Sequence, residues 1–510
     1  MDNYDGPPYY TVMRPSNYLD RMFYLQHRVG VQANILVSAH YAPSTSTDQT
    51  LLSRDAVFSA VRSVIAKYPE LSIIGVPEKV GKKGHHALNL AALHEIDIET
   101  CVEFLDDEAP SATAQVVERL HNTWNWTDKQ FNPRQPWWKV YVLGRQEVVF
   151  VFHHLVCDGR FGHFFHRQFL AGLNSFDEKD ASSNSSESPI IKIDMERVKL
   201  EKEVQDFWLS STYVIRVVHI FLSFVFLRLF LGNRLLFTGL PKAPPYSKSV
   251  EIEASPEQRT KTRIASLRIS APRMRRIIEA CRERKTTFTP LLLSMMLAAL
   301  ACDYYPDAKV GMSNFALDMR GVYPQGSENS GKLLSCAGGG SKWAWLDRYR
   351  RVFPRADGAK NKDEDVKAKV DKDAAWALVK EYGATVAECV KPKGSSVMVM
   401  FKAANSMTND LEGMLGSNFP ALGLHLQNCF QVSNLGVFAT GDKSGPWKID
   451  DMCFSASAIN GNICYNLSLG VTGAEGGDTV ILACYENEVM GEDLVSGILE
   501  KTLEKIEAIC

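Results

Sequence analysis

Val148-Val149-Phe150-Val151-Phe152 is apolar at five consecutive positions, and Gly144-Arg145-Gln146 separates it from Trp138-Lys139-Val140-Tyr141-Val142-Leu143. Two such runs around a short polar turn read as neighbouring strands. A strand apolar on both faces belongs at the centre of a covered sheet, which points to an α/β chain. Upstream, Asn34 to Ala39 reads as a strand and Ser53 to Tyr68 as a helix. Ser53 is its N-cap, Val57, Val61, Val64 and Ile65 repeat at helical spacing, and Pro69 closes it.

The same alternation returns later. Ile264 to Ile269, Val310 to Asp318, Val397 to Phe401, Phe430 to Ser433, Asn462 to Gly470 and Thr479 to Tyr485 read as strands. Pro272 to Glu283, Pro290 to Asp303 and Glu492 to Ile509 read as helices, and Gly473 to Gly477 as a hairpin turn. A chain of 510 residues is too long for one core. The expected layout is two similar mixed-sheet α/β halves, residues 1–240 and 263–510, joined by a Pro-marked crossover at 241–262. Ser175 to Asp194 reads as a solvated loop, Lys192 to Ser211 as a charged helix and Arg355 to Asp373 as a charged surface insertion.

Charge and cysteine content narrow the function. Fifty-seven basic and 59 acidic side chains leave a net charge of −2, which gives no polyanion-binding stripe, so no nucleic-acid partner is expected. The 11 cysteines are dispersed without a C-x-x-C pair, the pattern of reduced, buried thiols. Met1 to Pro8 has neither a basic nor an apolar signal region, so the expectation is a cytoplasmic protein whose sequons at Asn125, Asn184 and Asn466 stay unmodified.

Val214 to Leu231 is an apolar tract of the shortest length that spans a bilayer, but Arg216, His219 and Arg228 are spaced through it. An arginine at mid-bilayer costs about 2.5–3.5 kcal/mol. A helix lying in a membrane interface, or one packed over an apolar pocket, fits better than a span; a core helix is the alternative. Peripheral contact with the endoplasmic reticulum or lipid droplets follows from the first reading.

The chemistry concentrates where the central strand ends, in His153-His154-Leu155-Val156-Cys157-Asp158-Gly159. Strand ends are where side chains emerge from a sheet into a crevice, and neutral imidazole suits proton abstraction near neutrality. Adjacent strand residues face opposite ways, so one histidine enters the crevice and the other is structural. Asp158 can order the loop, and Gly159 can take backbone angles closed to other residues. His163 and His166 lack a further ligand at suitable spacing, so no metal is expected. His85-His86 reads as a solvated turn, and Gly338-Gly339-Gly340-Ser341-Lys342 as a flexible loop without the phosphate-binding pattern.

His153-His154-x-x-x-Asp158-Gly159 resembles the active-site motif of the CoA-dependent acyltransferase superfamily. Pro136 to Val142 resembles the strand preceding that motif, Asn314 to Arg320 the strand ending in its partner arginine, and Gln431 to Gly436 the Ser-Asn-Leu-Gly strand across the channel. The Asp-Phe-Gly-Trp-Gly element of plant BAHD enzymes is absent, and the chain is most similar to the fungal alcohol O-acetyltransferases. The resemblance implies a channel between the halves, acetyl-CoA as co-substrate with no permanent cofactor, and a hydroxylated apolar acceptor, as in secondary metabolism. It implies His154 as general base, and Asp158 as an architectural residue paired with Arg320. It gives supporting roles to His153 and Gly159, and places Ser433, Asn434 and Gly436 at the oxyanion or channel wall. Gly338 to Lys342 would border the CoA entrance. One chain supplies both halves of the channel, so a monomer is expected. A wax ester or diacylglycerol synthase using long acyl-CoA is the alternative enzyme, and a non-catalytic binding module the alternative class.

Overall fold

The computed structural model describes residues 8–44, 51–80, 85–127, 132–177, 188–200, 213–232, 234–241, 253–322, 335–354, 370–391, 429–439, 445–460 and 465–510. A five-stranded sheet runs in the order β14-β2-β8-β7-β6, comprising β2 (Ile35–Pro43), β6 (Val102–Leu105), β7 (Trp138–Leu143), β8 (Glu147–Phe152) and β14 (Trp447–Ala456). A six-stranded sheet runs β10-β16-β15-β13-β11-β12. Its members are β10 (Thr262–Ile269), β11 (Val310–Asp318), β12 (Ala337–Trp345), β13 (Cys429–Phe438), β15 (Leu467–Ala474) and β16 (Thr479–Glu486). β1 (Tyr10–Pro15), β3 (Ile73–Val80) and β4 (His85–Leu93) form a smaller sheet, and β5 (Glu95–Asp97) pairs with β9 (Ile190–Lys192).

β8 occupies the middle of its sheet and is buried at every position, as its unbroken apolar run requires. The first half carries helices α1 (Tyr18–Arg28), α2 (Arg54–Lys67), α3 (Ile98–Cys101), α4 (Ala114–His121) and α5 (Gly159–Asn174). Ser53 caps α2 through a bond from Ala56 N. Helix α5 packs on β2 and β14 with Phe161, Phe165 and Phe169 fully buried. It crosses α2 closely, where a side chain at Gly172 would lie 2.8 Å from Ala60 Cα. Helix α6 (Tyr213–Leu231) follows before the crossover, and the second half carries α7 (Ala271–Glu283), α8 (Phe288–Ala299), α9 (Leu346–Val352), α10 (Lys372–Val390) and α11 (Glu492–Ile509). Helix α8 is buried at every position but Thr289 and packs against α10 and α11.

The sheets do not divide at one point of the chain. After β13 the chain leaves the six-stranded sheet and pairs antiparallel with β2 as β14, Trp447 opposite Pro43 and Ala456 opposite Ile35. It then returns as β15, parallel to β13. The buried His121 ring seals this exchange, its Nδ1 2.5 Å from Asn34 Oδ1 and its Nε2 2.7 Å from Ser455 Oγ.

Several local expectations are corrected. Gly338 to Lys342 is part of edge strand β12 rather than a flexible loop; its glycines allow close packing, with Gly338 against Met319 and Gly340 against Phe315. His85-His86 opens β4 opposite Lys79 and Val80 and is not a turn. Ile190–Lys192 is a strand inside the supposed loop, and residues 193–200 are not helical. The proposed strand at Val397 to Phe401, most of the Arg355 to Asp373 insertion, residues 201–211 of the charged helix and residues 242–252 of the crossover lie outside the described residues. All ten described cysteines are free thiols, and nine of them are buried.

Helix α6 coincides with the apolar tract and exposes Ile215, Val218, Leu222, Phe226, Leu229 and Phe230. A cavity of about 730 Å³ lies between it and the β11–β12 edge, lined by Leu222, Phe226, Val310, Trp343 and Trp345 among others. Among the described residues no single helix is long and apolar enough to cross a membrane.

One buried carboxyl makes stability pH-dependent. Glu147 opens β8, accepts a hydrogen bond from Ser38 Oγ, and is pushed up by burial from 4.5 to about 8. Between these values the unfolded chain releases this proton while the folded chain keeps it, so stability falls as pH rises. Glu147→Gln removes that slope. Urea titrations across the window should show the variant gaining on the wild type by roughly 1 kcal/mol per pH unit.

Candidate active site

The end of β8 presents the two histidines in different environments. His153 is 2% exposed, and its ring lies among those of Trp137, His27 and Trp126, at 4.8, 4.9 and 6.0 Å. Its Nδ1 accepts from Leu155 N at 3.0 Å, which fixes the proton of the neutral ring on Nε2. Burial holds its pKa well below the ordinary imidazole value.

His154 is half-buried, and its Nδ1 lies 3.2 Å from the Cys157 carbonyl. A carbonyl only accepts, so Nδ1 carries the hydrogen and the basic lone pair is on Nε2. Phe23 of α1 stacks on the ring at 3.7 Å, with planes 10° apart. Burial lowers the pKa of His154 and the Asp158 charge opposes the shift, with a net downward result. The ring is therefore neutral at physiological pH.

Asp158 is the N-cap of α5, its Oδ1 accepting from Phe161 N at 2.9 Å. The same oxygen meets Arg320 Nη2 at 3.0 Å, and Oδ2 accepts from Cys336 N at 2.6 Å. Among the described residues neither oxygen bonds a histidine. Asp158 and Arg320 are 4% and 6% exposed. Arg320 lies just past β11, bonds Asp318 Oδ1 at 3.0 Å and sits 5.5 Å from the centre of the Phe164 ring. The motif aspartate of the first half is thus pinned to the second.

The Ser-Asn-Leu-Gly segment of β13 approaches the motif through a bulge. Asn434 pairs with Val471 and Gly436 with Thr472, which leaves Leu435 as the extra residue. Gly436 has φ +75° and its N–H donates to Asn434 Oδ1 at 2.8 Å, while Asn434 Nδ2 donates to Thr289 Oγ1 at 3.0 Å. Leu435 reaches Gly159, where a side chain would lie 3.1 Å from Leu435 Cδ2 and 2.6 Å from the Phe454 ring. Gly159 is therefore required by close approach and not, as its place in a turn suggested, by an unusual backbone angle. Ser433 is half-buried on the same strand.

His163 and His166 are both engaged within the fold. His166 Nε2 bonds Val37 O at 3.1 Å and its Nδ1 the Tyr41 hydroxyl at 2.9 Å. Burial pushes His163 down to about 3 and His166 to about 4. Among the described residues no three His, Cys, Asp or Glu side chains converge as metal ligands. Sequence reasoning missed Phe23, Cys336 and Arg160. Phe23 stacks on His154 and Cys336 N donates to Asp158 from distant positions, while Arg160 ties α5 to the Leu435 carbonyl; no periodicity announces such contacts.

Removing the Asp158 carboxylate leaves Arg320 charged, buried and short of a partner, and uncaps α5. Asp158→Ala should lose about 3–5 kcal/mol in chemical denaturation, with a matching fall in soluble yield.

Comparison with known proteins places the chain among similar sequences and folds. Residues 106–321 match the family model described as alcohol acetyltransferase. The probable alcohol acetyltransferase crmB of Aspergillus fumigatus is 24% identical over 475 residues, covering 88% of this chain and 90% of the relative. The probable alcohol acetyltransferase FCK4 of Fusarium pseudograminearum is 22% identical over 464 residues, covering 86% and 83%. Among solved structures, the trichothecene 15-O-acetyltransferase TRI3 of Fusarium sporotrichioides superposes with a TM-score of 0.67 at 13% identity, covering 98% of this chain and 96% of that one. The first condensation domain of the calcium-dependent antibiotic synthetase has a TM-score of 0.56 at 11% identity, covering 98% and 97%. These structural likenesses show the fold, two similar α/β halves, and in sequence the chain is similar to fungal alcohol acetyltransferases over most of its length and to the alcohol acetyltransferase family model over residues 106–321.

Proposed function

We propose that this enzyme moves an acetyl group from acetyl-CoA to a hydroxyl of an apolar small molecule, a secondary metabolite, with His154 as general base. The supporting observation is the bond from His154 Nδ1 to the Cys157 carbonyl, which leaves Nε2 as the basic atom of a neutral ring. Nε2 takes the acceptor's hydroxyl proton as its oxygen attacks the thioester carbon. The tetrahedral intermediate then collapses, expelling the CoA thiolate, which recovers the proton from the imidazolium. A thioester is already activated, so no acyl-enzyme is required. Ser433 supplies a hydrogen bond to the oxyanion, worth roughly 10²–10³ in rate at comparable sites. Asn434 acts through the bulge, since Thr289 and Gly436 occupy its amide. Asp158 and Arg320 hold the halves in register, and one chain supplies every residue named, so a monomer suffices.

The test is release of free thiol from acetyl-CoA across a panel of hydroxylated terpenoids, polyketides and short alcohols. His154→Ala should lower acceptor-dependent release about 10²–10⁴-fold, whereas His153→Ala should act mainly through stability. Because burial lowers the pKa of His154, kcat/KM should hold its plateau down through the ordinary imidazole value near 6.5 and fall only below it. Turnover with palmitoyl-CoA but not acetyl-CoA would move the enzyme to the wax ester or diacylglycerol synthases.

The exposed apolar face of α6 supports a peripheral, cytoplasmic membrane contact, on the endoplasmic reticulum or lipid droplets. Replacing Ile215, Leu222 and Leu229 with serine should abolish co-flotation with phospholipid vesicles while leaving turnover of a water-soluble acceptor intact.

A further inference from the structure

The tightest unexplained polar arrangement at the site runs behind the β13 bulge. Thr472 Oγ1 donates to the Gly436 carbonyl at 2.9 Å, so its lone pairs face outward. His163 Nε2 lies 2.9 Å from that oxygen and therefore donates to it. In the neutral ring His163 Nδ1 then carries a lone pair, and Arg160 Nη1 lies 3.1 Å from it. The same Arg160 nitrogen donates to the Leu435 carbonyl at 2.9 Å. Two of these four bonds end on the carbonyls of Leu435 and Gly436, and the other two link Arg160 to Thr472 through the His163 ring. Arg160 and His163 belong to α5, the helix that Asp158 caps, while Thr472 belongs to β15 of the other sheet.

We propose that His163, with Arg160 and Thr472, positions the Leu435–Gly436 bulge, and through it the Ser433 hydroxyl, against the His154 end of α5. His163 is thus a positioning residue that acts across the two halves, without touching substrate. A bulge re-aims the residues beside it, and here the extra residue is the one that packs on Gly159. Slack in the bulge would move the oxyanion donor without disturbing the base. The effect on catalysis rests on the acetyl-transfer reading above, but the effect on the bulge does not.

The experiment compares Thr472→Val, which keeps shape and removes the hydroxyl, with Thr472→Ser, which keeps the hydroxyl. Each is followed by steady-state kinetics with acetyl-CoA and an accepted alcohol, and by hydrogen exchange of the peptide covering residues 430–439. Thr472→Val should lower kcat about tenfold with KM for acetyl-CoA unchanged, and should speed exchange in that peptide; Thr472→Ser should restore both. His163→Ala should reproduce the Thr472→Val pattern. Wild-type exchange and wild-type kcat per folded molecule in Thr472→Val would overturn the proposal. So would a loss that Thr472→Ser shares and that follows the melting temperature alone. If the wild type transfers no acetyl group but Thr472→Val still loosens the peptide, the positioning stands and the acetyl-transfer reading fails.

Discussion

The Asp158 carboxylate and the Arg320 guanidinium meet at 3.0 Å, both almost wholly out of water, and the site's geometry depends on that contact. Asp158 caps the helix that follows the two histidines, and Arg320 lies just past β11 of the other sheet. A buried pair gains little net stability over apolar packing of the same shape, but losing either partner is expensive. Its contribution is therefore register. The bond from Cys336 N, in the segment leading into β12, adds a third attachment to the same carboxylate.

That geometry separates this aspartate from the one in a Ser-His-Asp triad, where the carboxylate orients the base directly. Here a backbone carbonyl, that of Cys157, sets the tautomer of His154, and Phe23 fixes the plane of the ring. The His154 ring is left neutral and half-buried, which suits the proposed role of a base toward an acyl group that arrives activated. The two adjacent histidines differ by one backbone bond each: His153 accepts at Nδ1 and is locked in the aromatic cluster, while His154 donates at Nδ1.

Much of this was legible in sequence where the governing physics is local. The limits of β7 and β8, the Ser53 cap and the span of α11 follow from apolar period and capping chemistry, and all agree with the structure. The motif residues and Arg320 were legible through the resemblance, which carries non-local information that period does not. The exchange of β14 into the first sheet was not, because a strand's own sequence does not say which edge it will pair with. Gly338 to Lys342 misled for a related reason: glycines that look like slack in a sequence make room for Met319 and Phe315 in the fold. The bulge at Leu435 is a matter of register between β13 and β15, and only Gly436 hinted at it.

A double-mutant cycle between Asp158 and Arg320 tests the central claim most directly, using Asp158→Asn, Arg320→Met and the pair, read by denaturant unfolding and by acetyl transfer per folded molecule. Each single variant should lose stability, and the double variant should lose less than their sum by about 2–3 kcal/mol. Its folded fraction should still transfer acetyl groups within roughly tenfold of the wild type, since His154 is untouched. Additive losses would contradict the claim that the pair holds the halves together. A stable double variant without transfer would contradict the claim that Asp158 takes no part in the chemistry.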